Sequence, residues 1–225
     1  EMYEYGLGVE KDITKAQEYY KLCAQENNGI AFYKLGEMFE KNNESSEKIK
    51  LFYAFSANKN NSNALLKLGD IYSEDDLNQI SKQEAIKCYL KCKDIYENKC
   101  NYDTDYVPFI DVNSHIADNN LALIYLIIDC DIKKAHQFLK DSMSYDYPFA
   151  KNNYGLLLEM HFKDIETAKY MYERSSKSNF SLSEYNLANL LEKEGNLKES
   201  INYYKRASDH ENDVLVYRGK RIEDK

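Results

Sequence analysis

The 225-residue chain carries 30 Lys and Arg against 38 Asp and Glu, a formal net charge of -8. Its 8 Gly and 2 Pro are about a third of the usual share, which argues against sandwiches, propellers and collagen-like chains, all of which need many tight turns. The longest apolar run, Leu121 to Ile128, falls far short of the roughly 20 residues of a membrane helix, and a pI near 5.2 disfavours nucleic acid as a partner.

The first legible element is a helix over 12–26, in which Ala16 is followed by Tyr19 and Tyr20. The same offsets of three and four recur along the chain: Ile49 with Phe52 and Tyr53, Ala85 with Cys88 and Tyr89, Ala135 with Phe138 and Leu139, Ala168 with Met171 and Tyr172, and Ser200 with Tyr203 and Tyr204. Such spacing is one face of a helix. Seven residues after each anchor stands a small residue: Cys23, Ser56, Cys92, Ser142, Ser175 and Ala207. This slot predicts a closely crossing neighbour. Four residues before each anchor stand Asp12, Ser45, Ser81, Asp131, Asp164 and Asn196, whose short polar side chains suit the N-cap position. These are the B helices.

A second helix precedes most of them. Its mark is Leu35-Gly36 then Phe39, Leu68-Gly69 then Tyr72, Leu121-Ala122 then Tyr125, Tyr154-Gly155 then Leu158, and Leu187-Ala188 then Leu191. Gly in a helix interior costs about 1 kcal/mol against Ala. Keeping Gly or Ala at that slot therefore predicts a contact with no room for a larger side chain. These are the A helices. The chain reads as a B helix at 12–26, then pairs at 30–58, 62–98, 114–145, 149–178 and 181–209, with a partial helix at 213–222. This predicts an all-α, right-handed α-α superhelix of about five helix-turn-helix repeats in a single repeat domain. Because Glu1 opens mid-element, the sequence reads as a piece of a longer protein, and a leader or further domains could lie outside it.

The opening Tyr3-Glu4-Tyr5-Gly6-Leu7-Gly8-Val9, followed by Asp12, Lys15-Ala16 and Tyr19-Tyr20, resembles the Sel-one-like repeat, a relative of the tetratricopeptide repeat. That pattern runs LG, an aromatic residue, G-x-GV, D-x-x-KA and YY, and the first unit matches it at every legible position. Later units lose the G-x-GV turn. The resemblance implies an adaptor or scaffold for protein complexes. Some secreted members staple each repeat with regularly spaced cysteines; the spacing of Cys92 and Cys100 does not recur from unit to unit.

An excess of chain lies at about 93–114 and carries Tyr102, Asp103, Asp105 and Tyr106. It reads either as an overlong B helix with a solvated acidic loop or as a partner-contacting loop, since insertions in repeat arrays often map to one face. The helix bearing Leu123, Leu126 and Ile127 is apolar nearly all round, which predicts deep burial or a cover supplied by that insertion.

Catalytic and metal chemistry find little support. His115, His136, His161 and His210 lack zinc-helix spacing. Cys88 and Cys92 could suit two ligands on one face but occupy packing slots of the repeat. The carboxylate pairs Asp75-Asp76, Asp103 with Asp105, and Asp129 with Asp131 show no defined separation across a cleft. The chain is therefore expected to be no enzyme and to take no cofactor or metal. Five cysteines, too sparse for a disulfide framework, favour a reducing, cytoplasmic setting.

The family resemblance also points to the concave face, where tetratricopeptide arrays expose the positions two before and two after the LG leucine. Two before are Tyr33, Leu66, Asn119, Asn152 and Tyr185; two after are Glu37, Asp70, Leu123, Leu156 and Asn189. Tyrosine offers rigid area with a polar tip, and asparagine amides can pair with an extended backbone. No Lys or Arg stands at these positions, which favours a basic or neutral peptide over an acidic one. The plain alternative is that Tyr33 and Tyr185 pack between units. The expected role is a non-catalytic scaffold for a protein or peptide, with self-association through the solenoid ends as the alternative and hydrolase activity behind both.

Overall fold

A computed structural model describes residues 1–74, 79–100, 112–127, 129–143 and 146–210. Every regular element among them is a helix. The A helices are α1 (Met2–Tyr5), α3 (Gly29–Lys41), α5 (Ser62–Glu74), α7 (Val112–Ile127), α9 (Pro148–Leu157) and α11 (Ser181–Lys193). The B helices are α2 (Ile13–Gln25), α4 (Ser46–Ala57), α6 (Gln79–Cys100), α8 (Ile132–Ser142), α10 (Ile165–Ser176) and α12 (Leu197–Asp209). The α9 helix runs into a π-helical turn, Leu158–Phe162. The chain divides into two compact units, Glu1–Ile124 and Tyr125–Lys225. In the first, the hairpins α3–α4 and α5–α6 stack after α2; in the second, α9–α10 and α11–α12 stack after α8.

Each hairpin is closed by a contact that explains the glycines. A Cβ placed on Gly36 would stand 2.7 Å from the Tyr53 ring. On Gly69 it would stand 2.6 Å from the Tyr89 ring, and on Gly155 2.6 Å from that of Tyr172. All three rings are fully buried. The slot contact is therefore a helix backbone lying on the flat of an aromatic ring from its own hairpin partner.

The same tyrosines anchor their hydroxyls. Tyr53 donates to Glu40 at 2.9 Å, Tyr89 to Asp70 at 2.7 Å and Tyr172 to Glu159 at 3.0 Å. Tyr20 donates to the buried Glu4 at 2.7 Å, which ties α2 back to α1. Burial first, and the adjacent carboxylate second, push the ionisation of Tyr20, Tyr53, Tyr89 and Tyr172 well above the ordinary tyrosine value. Tyr204 is pushed up to about 12, by burial and then by Glu192.

A second contact closes the other end of the hairpin, at the aromatic residue three past the slot. Tyr3 stacks on Tyr19 at 5.6 Å, Phe39 meets Phe52 edge-on at 4.8 Å, and Tyr125 stacks on Phe138 at 5.6 Å. The lysine before each anchor covers the same ring: Lys15 lies 5.6 Å from Tyr3, Lys48 4.1 Å from Phe39 and Lys134 4.7 Å from Tyr125. Such cation–ring contacts are electrostatically favourable. Lys15 also pairs with Asp12 and Lys134 with Asp131, so one lysine serves both the cap and the ring.

Four of the six expected B-helix caps accept a backbone N–H: Asp12 from Lys15, Ser45 from Lys48, Asp131 from Lys134 and Asp164 from Thr167. Ser81 lies inside α6, which is described from Gln79. Asn196 sits at the cap but gives its amide to Glu199 instead, at 2.6 Å. The small slot seven past each anchor does more than leave room. Ser56 donates to the Gly29 carbonyl and Ser175 to that of Pro148, each at 2.7 Å, and the Cys92 thiol reaches the Ser62 carbonyl at 3.7 Å. All three acceptors are first residues of A helices. Cys92 is thus a buried thiol outside any disulfide and not a staple, and burial pushes its neighbour Cys88 up to about 11.

Asparagine does much of the turning that glycine does elsewhere. Asn27, Asn43, Asn60 and Asn179 take positive φ just past helix ends, a conformation asparagine tolerates better than most residues. At the end of α2, Asn27 N–H bonds to Ala24 and Asn28 N–H to Cys23, the paired bonds of a Schellman motif. Asn28 and Asn61 then cap the following A helices, accepting from Ala31 and Ala64 at 3.1 Å each.

Two measurements test these contacts. An added methyl in an open helix interior would stabilise by about 1 kcal/mol. At Gly155 it must displace a buried ring, so Gly155→Ala is expected to destabilise by about 1–3 kcal/mol. Combining it with Tyr172→Leu should recover part of that loss in a double-mutant cycle. Additive losses would show that the ring and the slot are uncoupled. The second concerns alkaline pH. Groups whose folded ionisation is raised contribute stability that is intact below their unfolded value, near 10, and is lost as pH rises through the folded values. Unfolding is therefore expected to set in above about pH 10, with part of the tyrosinate absorbance appearing in the same step as loss of helical circular dichroism. Complete tyrosine ionisation with the helices still intact would refute the buried-hydroxyl arrangement.

Candidate binding face of the A helices

The ten positions expected on the concave face separate by burial. Leu66, Asn119 and Asn152 are buried, so they pack within the chain and offer a partner little free surface. Leu123 and Leu156 are half-buried. Tyr33, Glu37, Asp70, Tyr185 and Asn189 reach the surface in part. The acidic insertion residues Tyr102, Asp103, Asp105 and Tyr106 lie outside the described residues, as do the pairs Asp75-Asp76 and Asp103 with Asp105 and the stretch 213–222. Beside the insertion, Leu123 and Leu126 are half-buried and Ile127 is 54 % exposed, so deep burial of that helix on all sides does not hold.

In the first unit, Tyr33 and Glu37 are one turn apart on α3. The Tyr33 ring rests 5.8 Å from that of Tyr53. Burial first, and the charge of Glu37 second, raise its ionisation. Asp70, on α5, accepts both from Tyr89 and from the Asn120 amide at 3.0 Å. In the second unit, Tyr185 is 44 % exposed, with its ring braced against Tyr204 at 5.6 Å. Asn189 lies one turn further along α11 and meets the Tyr204 hydroxyl at 2.5 Å.

The expected register missed a stripe one residue away, at Lys34, Lys67, Asn120, Asn153 and Asn186. These stand two before each slot, and most of them reach back to the preceding A helix. Lys67 bonds Glu40 at 3.0 Å, Asn120 bonds Asp70, and Asn186 bonds Asn152 at 2.9 Å. Lys34 bonds the Tyr5 hydroxyl at 3.2 Å and lies 3.9 Å from Glu4, while also holding Glu37 at 2.9 Å. The recurrence of Lys, Lys, Asn, Asn, Asn at one register position was the available signal. Lys34 and Lys67 bring bases next to the ten expected positions, each matched by a carboxylate, Glu37 and Glu40.

Among the described residues, no three His, Cys, Asp or Glu side chains are placed to hold a metal ion. His115 is buried and His161 exposed. His136 contacts the Tyr154 hydroxyl at 3.0 Å and the Phe162 ring at 5.3 Å, and burial lowers its ionisation, with Lys140 adding to the effect. His210 holds the fully buried Glu184 at 2.8 Å, with Arg206 on the other oxygen at 2.6 Å. No described helix is long and apolar enough to cross a membrane.

Solved structures share this architecture. The chain is similar to c5321, a protective antigen of uropathogenic Escherichia coli with an SLR fold, at 20% identity and a TM-score of 0.70 over 97% of this chain. It spans about half of that protein, 48% of its length. A Sel1 repeat protein from Oxalobacter formigenes superposes with a TM-score of 0.72 at 20% identity, covering 92% of this chain and 81% of that one. BtubC from P. vanneervenii follows at 15% identity and a TM-score of 0.60, covering 94% and 93%. No curated protein sequence matches the chain. The Sel1 repeat model matches residues 1–28, 62–91, 150–180 and 181–212, more than half of the chain. With the glycine–tyrosine hairpins recurring in its matched repeats, the chain belongs to the Sel1 repeat family.

Proposed function

We propose that the chain is a non-catalytic scaffold that holds a protein or peptide against the A-helix face. The observation that carries this reading is a division of labour among the aromatic residues. The B-helix tyrosines Tyr53, Tyr89 and Tyr172 are buried, with their hydroxyls engaged. Tyr33 and Tyr185 instead bring part of their rings to the surface on A helices, each braced by a B-helix ring. A braced, part-exposed tyrosine loses little freedom on binding and offers a large contact, the profile of an interface anchor. Likeness of fold to the solved structures is support for a repeat scaffold and does not carry over what any of them binds.

The test compares two double variants in affinity capture followed by mass spectrometry. Tyr33→Ala with Tyr185→Ala removes both A-face anchors. Leu51→Ala with Tyr170→Ala removes exposed side chains from B helices. The A-face pair is expected to lose specific partners that the B-helix pair keeps, with unchanged helical circular dichroism in both. Identical partner sets would overturn the assignment of the face.

A further inference from the structure

In three hairpins the carboxylate that receives the B-helix tyrosine stands four residues after the slot. Two of these also hold a cation from the next A helix described beside them. Glu40 takes the Tyr53 hydroxyl at 2.9 Å and Lys67 of α5 at 3.0 Å. Glu159 takes the Tyr172 hydroxyl at 3.0 Å and Lys193 of α11 at 2.9 Å. Glu192, at the same place on α11, takes the Tyr204 hydroxyl at 2.7 Å. Among the described residues no cation meets it.

The B helix of that hairpin shows a matching gap. The residue one past the anchor is half-buried on α2, α4, α6, α8 and α10, but on α12 it is Ile201, 54 % exposed. The residue eight past the anchor lies two turns further along the same face. It is buried or half-buried on those five helices and exposed on α12, as Ser208. On the earlier helices the next A helix supplies the cover. Lys50 lies 5.8 Å from the Tyr72 ring of α5, Lys93 3.1 Å from Asp118 of α7, and His136 3.0 Å from the Tyr154 hydroxyl of α9.

The spacing of the chain identifies what fits the gap. A slot stands 20 residues after the preceding anchor in four cases, from Ala16 to Gly36, Ile49 to Gly69, Ala135 to Gly155 and Ala168 to Ala188. The same step from Ser200 reaches Lys220 and places Arg218 two before it, at the register of Lys67. Leu215 and Gly219 then fall five and one before the slot, positions buried in α3, α5, α7, α9 and α11. Ile222 continues that face at i+7. The stretch 214–222 carries Arg218, Lys220 and Arg221 and no acid, which complements the charge of Glu192.

We infer that residues 214–222 dock on α11 and α12 as the next A helix, with the Leu215–Ile222 face over Ile201 and Arg218 paired with Glu192. The occupant of this face is the chain's own continuation, and a second copy finds it closed. The inference is independent of the scaffold reading, which concerns Tyr33 and Tyr185.

The test combines amide hydrogen exchange and cross-linking on the whole chain. Exchange over 214–222 is expected to run slower than in a free synthetic peptide of the same residues. Arg218→Glu should speed it about 2- to 5-fold, the effect of one exposed ion pair, and leave exchange over α3 to α10 unchanged. Arg218→Lys keeps the charge and supplies a primary amine, so a carbodiimide should join position 218 to Glu192. In a mixture of isotope-labelled and unlabelled chains, that link is expected within single chains. Links found only between labelled and unlabelled chains would give the face to a second copy and overturn the assignment. Exchange as fast as in the free peptide would overturn the docking itself. Slow exchange that ignores Arg218→Glu, with no link to Glu192, would overturn the ion pair.

Discussion

The structure depends on one contact: the backbone of an A helix lying directly on a tyrosine ring of the B helix that follows it. Only a residue without Cβ allows that approach when the ring is fully buried, as at Gly36, Gly69 and Gly155. The α11–α12 hairpin, which has no glycine at the slot, behaves accordingly. Where the slot holds Ala188, Tyr204 is only half-buried and its hydroxyl lies further out, between Asn189 and Glu192.

That contact also sets the polar order of the face above it. A ring pressed flat against the helix can point its hydroxyl only toward the A-helix surface, where a carboxylate receives it. The carboxylate then has capacity left for the next A helix, and Lys67 and Lys193 take it up at Glu40 and Glu159, as the Asn120 amide does at Asp70. Hairpin closure and stacking between repeats thus share a single acceptor. Cations also close the outer side: Lys91 and Arg206 bond the C-terminal carbonyls of Ala57 and Ser176 on the preceding B helices. Positive charge at a helix C-terminus is favourable.

Much of this was legible in the residues because a helix repeats its face every 3.6 positions. The anchors, the aromatic pairs and four caps all follow that period. The concave face was harder to read, because one residue along a helix is a turn of about 100°. The expected positions and the bridging stripe at Lys34, Lys67 and Asn186 stand one residue apart, and of the expected ones Leu66 and Asn152 are buried. Burial is a tertiary outcome that periodicity does not contain. Ser81 shows the same limit at a helix end: its residue type suits a cap, but α6 starts before it. The doublets Asn27-Asn28, Asn42-Asn43 and Asn60-Asn61 stand between helices. Their double role at α2 and α4, closing one helix and capping the next, depends on a left-handed backbone that residue type alone only permits.

The scarcity of glycine therefore has two physical sources. Helical hairpins need few turns, and asparagine fills several of the left-handed positions that remain. Among the described residues glycine then stands at Gly6 and Gly8 in the opening turn, at Gly29 where α3 begins against Lys59, at Gly195 after α11, and at the slots where a ring leaves no room for Cβ. The same logic separates the slot-facing tyrosines from Tyr33 and Tyr185. A tyrosine facing a glycine slot is fixed by the fold on both its ring and its hydroxyl, so altering it changes stability first. Tyr33 and Tyr185 face no slot and make their contacts from the outer side of an A helix. Substitution there removes surface without placing a Cβ in a glycine slot.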